Sequence, residues 1–334
     1  MVRKLYFLPQ LHPAWNRIVA TNPAIKPTQR YDYHRWLWLM FYLRHPFSRW
    51  TICYHYVQHN SDECIVPLVV NRKRRKLHSL SFYGKLDYED IISTTQDPAI
   101  NSHFLQQVLS SYADYQFHSV NINADSRLCA ALQQNLQPDD HSVAIHLPDN
   151  YDEWFNSLAK HQRQNIRTAY NKVQKEGFAI SLHRYDSSCR IPRPLWHNLQ
   201  LLYEERHFSQ LSPTKLWWQR QLNAYTHMLR RLEGHRIYVL MHEGVPLAYL
   251  AGIFSPVHST LYVPRLCINM TFYRYSPGIL LLCETIKCLV DEHTSTLDLM
   301  WGDEPYKYAM GGTPSIQYFL NCQVNNLLCT LHSK

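Results

Sequence analysis

Two kinds of hydrophobic pattern alternate along the first half of the chain. In some segments apolar and polar residues take turns, as in β-strands, and in others apolar residues recur every three or four positions, as in amphipathic helices. Turn-forming residues separate these segments. The pattern predicts strands over 51–57, 64–70, 77–83 and 119–123, and helices over 33–43, 100–112 and 125–136.

The second half continues this alternation. A helix is predicted to begin after Asn150, because Asn is a favourable amino-terminal cap and Glu153 stands three positions later. A second helical pattern, with Ile166 and Val173 on its apolar face, ends at Gly177. The remaining pattern predicts a strand over 178–183, a long helical region over 195–232 broken near 212–213, a β-hairpin over 236–254, a strand over 260–268, a helix over 279–292 and a strand over 297–301.

This mixture of helices and strands predicts an α/β fold with a mixed sheet. The length of 334 residues favours two domains over one. The polar, proline-containing stretch 138–148 is the best candidate for the boundary between them. We therefore expect one domain over 1–145 and a second over 146–334.

Composition excludes several classes of protein. With 46% hydrophobic and 18% charged residues, the chain can bury a sizeable core, so it is neither disordered nor fibrous. The longest apolar run, over 36–43, is far shorter than the ~20 residues that cross a bilayer. Prolines follow Arg3 and Lys4 too closely for a signal peptide. We expect a soluble, cytoplasmic protein with no membrane span.

Cysteine, histidine and charge narrow the possibilities further. The nine cysteines include no Cys-x-x-Cys pair and the 20 histidines show no zinc-ligand spacing, so we expect reduced thiols and no metal. The net charge of +8 is spread over both halves, which argues against a nucleic-acid partner but suits an anionic ligand.

One turn has the features of a phosphate site. In the sequence Arg274-Tyr275-Ser276-Pro277-Gly278, Ser276 is predicted to cap a helix, Pro277 fits its first position and Gly278 leaves its backbone open. Free N–H groups at the positive end of a helix dipole can bind phosphate. A well-capped helix without a ligand is the simpler alternative.

A second segment places reactive side chains directly after a buried strand. The predicted strand 297–301 ends at Gly302, and an acid pair, a phenol and an ammonium follow at Asp303, Glu304, Tyr306 and Lys307. In α/β sheets such groups commonly carry the chemistry. A solvated polar turn is the alternative.

Two basic segments are weaker candidates for binding anions. The tract 72–76 lies between two predicted strands, which favours an exposed hairpin tip. Arg163 and Arg167 stand four apart on one face of a predicted helix, where a solvent-facing stripe is the usual arrangement.

Taken together, these segments resemble the GNAT acyltransferase superfamily. The resemblance is carried by the order of LAKHQRQNIR at 158–167, VPLA at 245–248, SPG at 276–278 and DLMWGDEPYK at 298–307. More narrowly, the chain is similar to bacterial acetyltransferases associated with cellulose and exopolysaccharide biosynthesis, which are relatives of the Fem peptidyltransferases. FYGKLDYEDII at 82–92 resembles a late segment of their first domain. The resemblance implies two GNAT-like domains packed side by side.

The resemblance also implies roles for individual residues. The pyrophosphate of an acyl-CoA would meet backbone amides of Tyr275, Ser276, Gly278 and Ile279 beside Arg274, although Arg274 and Gly278 are one residue farther apart than in the usual loop. The strand over 261–268 would hold the thioester carbonyl. The further assignments are Asp303 or Glu304 as the base, Tyr306 as proton donor to the thiolate, Lys307 neutralising negative charge, and Arg163, Arg167 and Trp301 contacting substrate.

The function expected from this resemblance is transfer of an acyl group from acetyl-CoA or another acyl-CoA to an amine or hydroxyl of a sugar or envelope-polysaccharide precursor. A Fem-like transferase that uses aminoacyl-tRNA is one alternative. A non-catalytic nucleic-acid-binding or scaffold protein is another. The sequence identifies neither the acceptor nor the oligomeric state.

Overall fold

The computed structural model describes residues 2–6, 8–44, 47–83, 86–208, 210–214 and 229–332. The chain divides into two compact units. Unit 1 combines Met1–Ser142 with Ser315–Lys334, and unit 2 is Val143–Pro314. The predicted division into 1–145 and 146–334 therefore differs from these units at the carboxyl end, because the last segment of the chain packs into unit 1.

Unit 1 is a mixed β-sheet with helices packed on it. Its elements are β1 (Val2–Leu5), α1 (His12–Thr21), α2 (Tyr31–Arg44), β2 (Thr51–His59), β3 (Asp62–Asn71), β4 (Lys76–His78), β5 (Ile92–Ser93), α3 (Pro98–Leu109), β6 (Gln116–Asn123), α4 (Arg127–Leu132) and, from the carboxyl end, β13 (Thr313–Gln323) and α10 (Val324–His332). The strand order is β1-β2-β3-β4-β6-β13, with β5 on β3. β4 and β6 run parallel, whereas β2 and β3 are antiparallel.

The carboxyl-terminal segment completes the core of unit 1. β13 pairs antiparallel with β6, and Leu320, Val324 and Leu327 are fully buried in the same hydrophobic cluster as Phe104 of α3. Burying these side chains is the physical reason that the segment belongs to unit 1, since each contributes about 1.5–3 kcal/mol by leaving water.

Unit 2 is also a mixed sheet covered by helices. β7 (Gln137–His146) runs into it across the boundary at Ser142. Its further elements are α5 (Tyr151–Ser157), α6 (Lys160–Lys175), β8 (Ser181–Tyr185), α7 (Arg193–Phe208), β9 (His235–His242), β10 (Val245–Ser255), β11 (Thr260–Ile268), α8 (Pro277–Asp291), β12 (Thr296–Trp301) and α9 (Pro305–Ala309). β8 to β11 form antiparallel pairs in chain order, and β11 and β12 are parallel. The predicted α/β fold with a mixed sheet is confirmed.

The predicted ends of several elements in unit 2 are confirmed. The Asn150 side chain accepts a hydrogen bond from the Glu153 backbone N–H (2.9 Å) and caps α5. Beyond α6, Gly177 adopts a positive φ of 63°, which glycine tolerates without a steric penalty. The predicted hairpin is the β9–β10 pair, with Glu243 and Gly244 both at positive φ in its two-residue turn.

Two other predicted elements turn out shorter. The strand expected over 77–83 is β4 followed by a short 3₁₀ helix, Leu80–Tyr83. Of the helical region expected over 195–232, α7 accounts for the part up to Phe208, and residues 215–228 lie outside the described residues. Within the described ranges, no helix has the length and hydrophobicity that crossing a bilayer requires.

A bulge bends β11 next to the point where it separates from β12. The β10–β11 register shifts around Gly252, where an added Cβ would lie 2.6 Å from the Tyr262 carbonyl oxygen. The parallel register between β11 and β12 ends at Tyr262 and Asp298, although β11 continues to Ile268. Pro264, two positions after Tyr262, has no N–H to donate to a neighbouring strand. The two strands therefore part beyond Tyr262.

Candidate functional site

The turn from β11 into α8 differs from the predicted serine cap. A 3₁₀ helix, Met270–Tyr275, leads to Ser276, which adopts a left-handed conformation with φ of 53°. The Ser276 hydroxyl makes no capping hydrogen bond, so the predicted side-chain cap is wrong, whereas Pro277 does occupy the first helical position. The helix starts from a reversal of the backbone at Ser276.

Two of the four amides expected to meet a pyrophosphate already have partners. The Ser276 N–H donates to the Tyr273 carbonyl and the Ile279 N–H donates to the Ser276 carbonyl, each at 3.0 Å. The Tyr275 side chain points into the core, where it stacks on Phe178 with a ring-centroid distance of 4.1 Å. Gly278, whose N–H makes no hydrogen bond outside α8 among the described residues, lines the cavity at this turn.

A cavity of about 650 Å³ lies against this turn. Ligand-binding cavities commonly have volumes of about 300–1,000 Å³. The described residues that line it come from α6, α7, β11, α8, α9 and the loop before α8: Gln162, Arg206, Leu266, Ile268, Tyr273, Arg274, Ser276, Pro277, Gly278, Ile279, Leu282, Pro305, Tyr306, Ala309 and Met310. The cavity thus joins the first turn of α8 to Tyr306, two features that the sequence analysis placed in one site.

The separated end of β11 forms one wall of the cavity. Leu266 and Ile268, which line it, both lie beyond the last residue of β11 that pairs with β12. A Cβ at Gly278 would lie 3.2 Å from Ile268 Cγ2. A larger residue at position 278 would therefore crowd the space between α8 and β11.

Tyr306 presents its phenol to the cavity at the start of α9. The residue is 39% exposed. Partial burial, and then the nearby Glu304 carboxylate, raise the pKa of Tyr306 to about 12, while the positive charge of Arg206 acts in the opposite direction. The phenol is consequently protonated at neutral pH and can donate a hydrogen bond.

Lys307 is buried beneath the loop that connects β12 to α9. It is 2% exposed, and its Nζ donates to the carbonyl oxygens of Met300 (3.3 Å), Trp301 (2.8 Å) and Gly302 (3.0 Å). It also forms an ion pair with Glu304 at 2.9 Å. Lys307 is not among the described residues that line the cavity, and in this structure its ammonium holds the loop.

Neither of the predicted bases lines the cavity. Glu304 is folded back towards Lys307, and a Cβ at Gly302 would lie 2.6 Å from Glu304 Oε2. Asp303 is exposed and accepts a hydrogen bond from the Tyr308 hydroxyl. Trp301 is 50% exposed and also lies outside the lining as described. Of the reactive cluster predicted after β12, the described lining includes Tyr306 alone.

Arg274 lies at the rim of the cavity and is part of a polar cluster. Its guanidinium donates to Glu176 Oε2 (3.0 Å) and to the Tyr275 hydroxyl. The Tyr275 hydroxyl in turn donates to the same Glu176 oxygen (2.6 Å), and Lys172 Nζ donates to the Arg274 carbonyl (3.0 Å). These contacts fix the loop that precedes α8.

Arg163 and Arg167 are not brought to this cavity. They line a separate open depression on α6. Arg163 donates to the carbonyls of Asn156 (2.7 Å) and Leu158 (2.9 Å) at the end of α5, and the Arg167 guanidinium lies over the Phe155 ring at 5.3 Å. Both side chains thereby join α6 to α5.

Two polar residues of the lining were missed by the sequence analysis. Gln162 is buried on α6, with its Nε2 3.2 Å from Met310 Sδ, and Arg206 lies in the last turn of α7. Gln162 stands within the LAKHQRQNIR segment, four positions before Ile166, so helical spacing could have placed it on the buried apolar face. No local pattern marks Arg206. Among the described residues there is no group of three or more His, Cys, Asp or Glu that could hold a metal ion.

The part of the chain that carries the cavity matches a known family. Residues 160–308 match the acetyltransferase (GNAT) domain. The GNAT match includes every described lining residue except Ala309 and Met310. The predicted resemblance to the GNAT superfamily is confirmed for this segment. None of the curated proteins searched is a significant match to the chain.

Solved structures extend the likeness in fold over nearly the whole chain. The carboxyl-terminal domain of a putative lysylphosphatidylglycerol synthetase from Agrobacterium fabrum aligns over 98% of this chain and 95% of its own, with TM-score 0.59 and 9% identity. FemX aligns over 99% and 100%, with TM-score 0.58 and 12% identity. A tandem GNAT protein from the clavulanic acid biosynthesis pathway aligns over 96% and 98%, with TM-score 0.50 and 8% identity. The protein has a GNAT-like fold.

Proposed function

We propose that this protein transfers an acyl group from acetyl-CoA or another acyl-CoA to an amine or hydroxyl acceptor. The observation that carries the proposal is the cavity that joins the first turn of α8 to Tyr306 along the separated end of β11. The match of residues 160–308 to the GNAT domain supports the same activity.

The start of α8 fits the diphosphate of such a donor. α8 has 15 residues, and a helix of this length carries a partial positive charge at its amino terminus. Gly278 keeps the backbone open at that point, and Arg274 adds a cation at the rim. The thioester end of the donor would then lie between α8 and β11, towards Tyr306.

The residues around the thioester would orient the reactants and stabilise charge. A thioester carbonyl carbon accepts attack by the acceptor nitrogen or oxygen; a new C–N or C–O bond forms as the C–S bond breaks. Backbone N–H groups of β11 beyond Pro264 would donate to the carbonyl oxygen as it becomes negative. The acceptor's proton is lost and the sulfur takes up a proton, so the reaction balances without an oxidant or a metal.

Tyr306 would act as a hydrogen-bond donor to the leaving sulfur. Its pKa of about 12 lies well above the value of about 8.5 for an ordinary thiol. Complete transfer of the phenol proton to a thiolate is therefore uphill, and the proton would come from the acceptor instead. This refines the predicted role of Tyr306 as the proton donor.

Other predicted residues have different places in the proposal. Glu304 remains the better candidate for a proton acceptor, since its charge acts on Tyr306. Glu304 does not line the described cavity either, but Asp303, Trp301, Arg163 and Arg167 are left out because they neither line it nor act on Tyr306. The sequence resemblance supports a sugar or polysaccharide-precursor acceptor.

Coenzyme A binding tests the proposal directly. Isothermal titration calorimetry should detect binding to the wild type and its loss in Gly278→Glu, because the added carboxylate would occupy the cavity and repel the diphosphate. Gln134→Glu, which adds the same charge at an exposed position in unit 1, should bind normally. Equal affinity in Gly278→Glu and the wild type would contradict the proposed position of the donor.

A thermal-shift comparison separates the two kinds of donor. A ligand that binds only the folded protein raises its melting temperature. We expect stabilisation by acetyl-CoA and no salt-dependent binding of aminoacyl-tRNA. Strong binding of charged tRNA without any effect of coenzyme A would favour the Fem-like alternative.

A further inference from the structure

Arg206 contributes a positive charge to the cavity. It lies in the last turn of α7, where the helix dipole favours a cation, but that position alone does not require it to line a cavity. Among the described residues, none forms an ion pair or hydrogen bond with its guanidinium. Arg274, the other cation of the lining, is instead paired with Glu176.

The surroundings of Arg206 make an anion the natural partner. The described lining contains two arginines and no carboxylate, and most of its other side chains are apolar. Arg206 is itself exposed, so an anion entering from solvent can reach it, and a charge-assisted hydrogen bond is stronger than a neutral one. The neighbouring Glu205 is not among the lining residues, so an incoming anion would not meet its charge in the cavity.

Arg206 is close to the reacting end of the cavity. Its charge acts on the Tyr306 phenol and on the Cys267 thiol near the end of β11. Arg274 acts instead on Glu176 and Tyr275, at the loop before α8. The proposed function places the donor's diphosphate at that loop, and the part of an acyl-CoA next to the thioester is uncharged. The donor therefore gives Arg206 no anionic partner in addition to the described residues, none of which pairs with it.

We propose that the acceptor carries an anionic group, a carboxylate or a phosphate, that pairs with Arg206 while its amine or hydroxyl faces the thioester beside Tyr306. This inference rests on the proposed function and assigns Arg206 as a specificity-determining residue. A bidentate guanidinium would hold either anion in a fixed orientation, which positions the attacking atom.

Matched acceptors test this assignment. Three related amino sugars serve as acceptors. Glucosamine has no acid group, glucosamine 6-phosphate carries a phosphate, and glucosaminic acid carries a carboxylate. With coenzyme A present, calorimetry should show that the wild type binds at least one of the two anionic compounds more tightly than it binds glucosamine. The compound that binds more tightly identifies the anion that Arg206 recognises. In Arg206→Gln we expect that preference to fall by about 10- to 100-fold, the usual effect of losing one charge-assisted hydrogen bond.

Two variants serve as controls. Arg206→Lys keeps the charge and should recover part of the preference. Arg193→Gln removes an exposed arginine from the first turn of the same helix, about 20 Å away along its axis, and should bind all three compounds as the wild type does.

The possible failures are distinguishable. Unchanged preference for anions in Arg206→Gln, or no such preference in the wild type, overturns the inference while leaving coenzyme A binding intact. Weaker coenzyme A binding in Arg206→Gln would assign Arg206 to the donor and also overturn it. If the wild type binds no coenzyme A, the proposed function fails, and the comparison of the acceptors alone still reports on Arg206.

Discussion

Lys307 illustrates how a residue in a reactive-looking cluster can have a structural role. The backbone adopts left-handed conformations at Met300 and Gly302, and the carbonyls of residues 300–302 converge on Lys307 Nζ. A buried ammonium requires several partners of this kind. The loop carries Tyr306 to the cavity, and we propose that Lys307 acts on the site by positioning this loop.

Replacing Lys307 with Met should therefore destabilise the protein. The substitution leaves three carbonyls and Glu304 without their cation, and we expect unfolding to become easier by about 2–4 kcal/mol. Urea denaturation measures this change. Tyr306→Phe is the matched comparison, because it should lower kcat while leaving stability nearly unchanged. Wild-type stability in Lys307→Met together with lost turnover would instead restore a catalytic role for the ammonium.

At the scale of secondary-structure elements, local patterns predicted the helices and strands of the site but not its geometry. The β9–β10 hairpin, β12 and α8 follow from periodicity and turn residues. The prediction that the Ser276 side chain caps α8 was wrong. Ser276 adopts a left-handed backbone conformation, which depends on the loop that leads into it. The separation of β11 from β12 had a signal that went unused, namely Pro264 within a predicted strand. Arg206 could not be predicted, because only tertiary packing brings α7 to the cavity.

A substitution at Gly252 tests how much the bulge between β10 and β11 contributes to stability and to the shape of the cavity. Gly252→Ala places a Cβ 2.6 Å from the Tyr262 carbonyl oxygen and 3.0 Å from Leu261 Cδ1, so backbone must move. We expect a loss of about 3 kcal/mol in stability and weaker coenzyme A binding, since β11 forms a wall of the cavity. Gly278→Ala, which meets only the Ile268 side chain at 3.2 Å, should cost much less. Thermal unfolding that ranks the two variants the other way would contradict this account.

At the scale of the whole molecule, unit 1 contributes a pH-dependent term to stability. Glu89 is fully buried and accepts a hydrogen bond from the Ser81 backbone N–H (2.8 Å). Burial raises the pKa of Glu89 from 4.5 to about 7, despite the opposing effect of that hydrogen bond. Between these values the folded protein holds a proton that the unfolded chain has released, so stability falls as pH rises.

The size of this effect can be measured. The contribution of Glu89 should be complete below pH 4.5 and should decline by about 3 kcal/mol by pH 7. Glu89→Gln should abolish this decline, as followed by hydrogen exchange of unit 1 amides at several pH values. Asp139→Asn, at an exposed position of the same unit, should leave it unchanged. If the stability of unit 1 depends on pH in the same way in Glu89→Gln and in the wild type, Glu89 does not titrate in this range.

The discontinuity of unit 1 also has a consequence for biosynthesis. A ribosome makes residues 143–314 before it reaches β13 and α10, whose Leu320, Val324 and Leu327 close the core of unit 1. Unit 2 is contiguous and can fold during elongation, whereas unit 1 cannot bury its apolar core until β13 and α10 have been translated. Nascent chains stalled before that point should be the forms that chaperones retain.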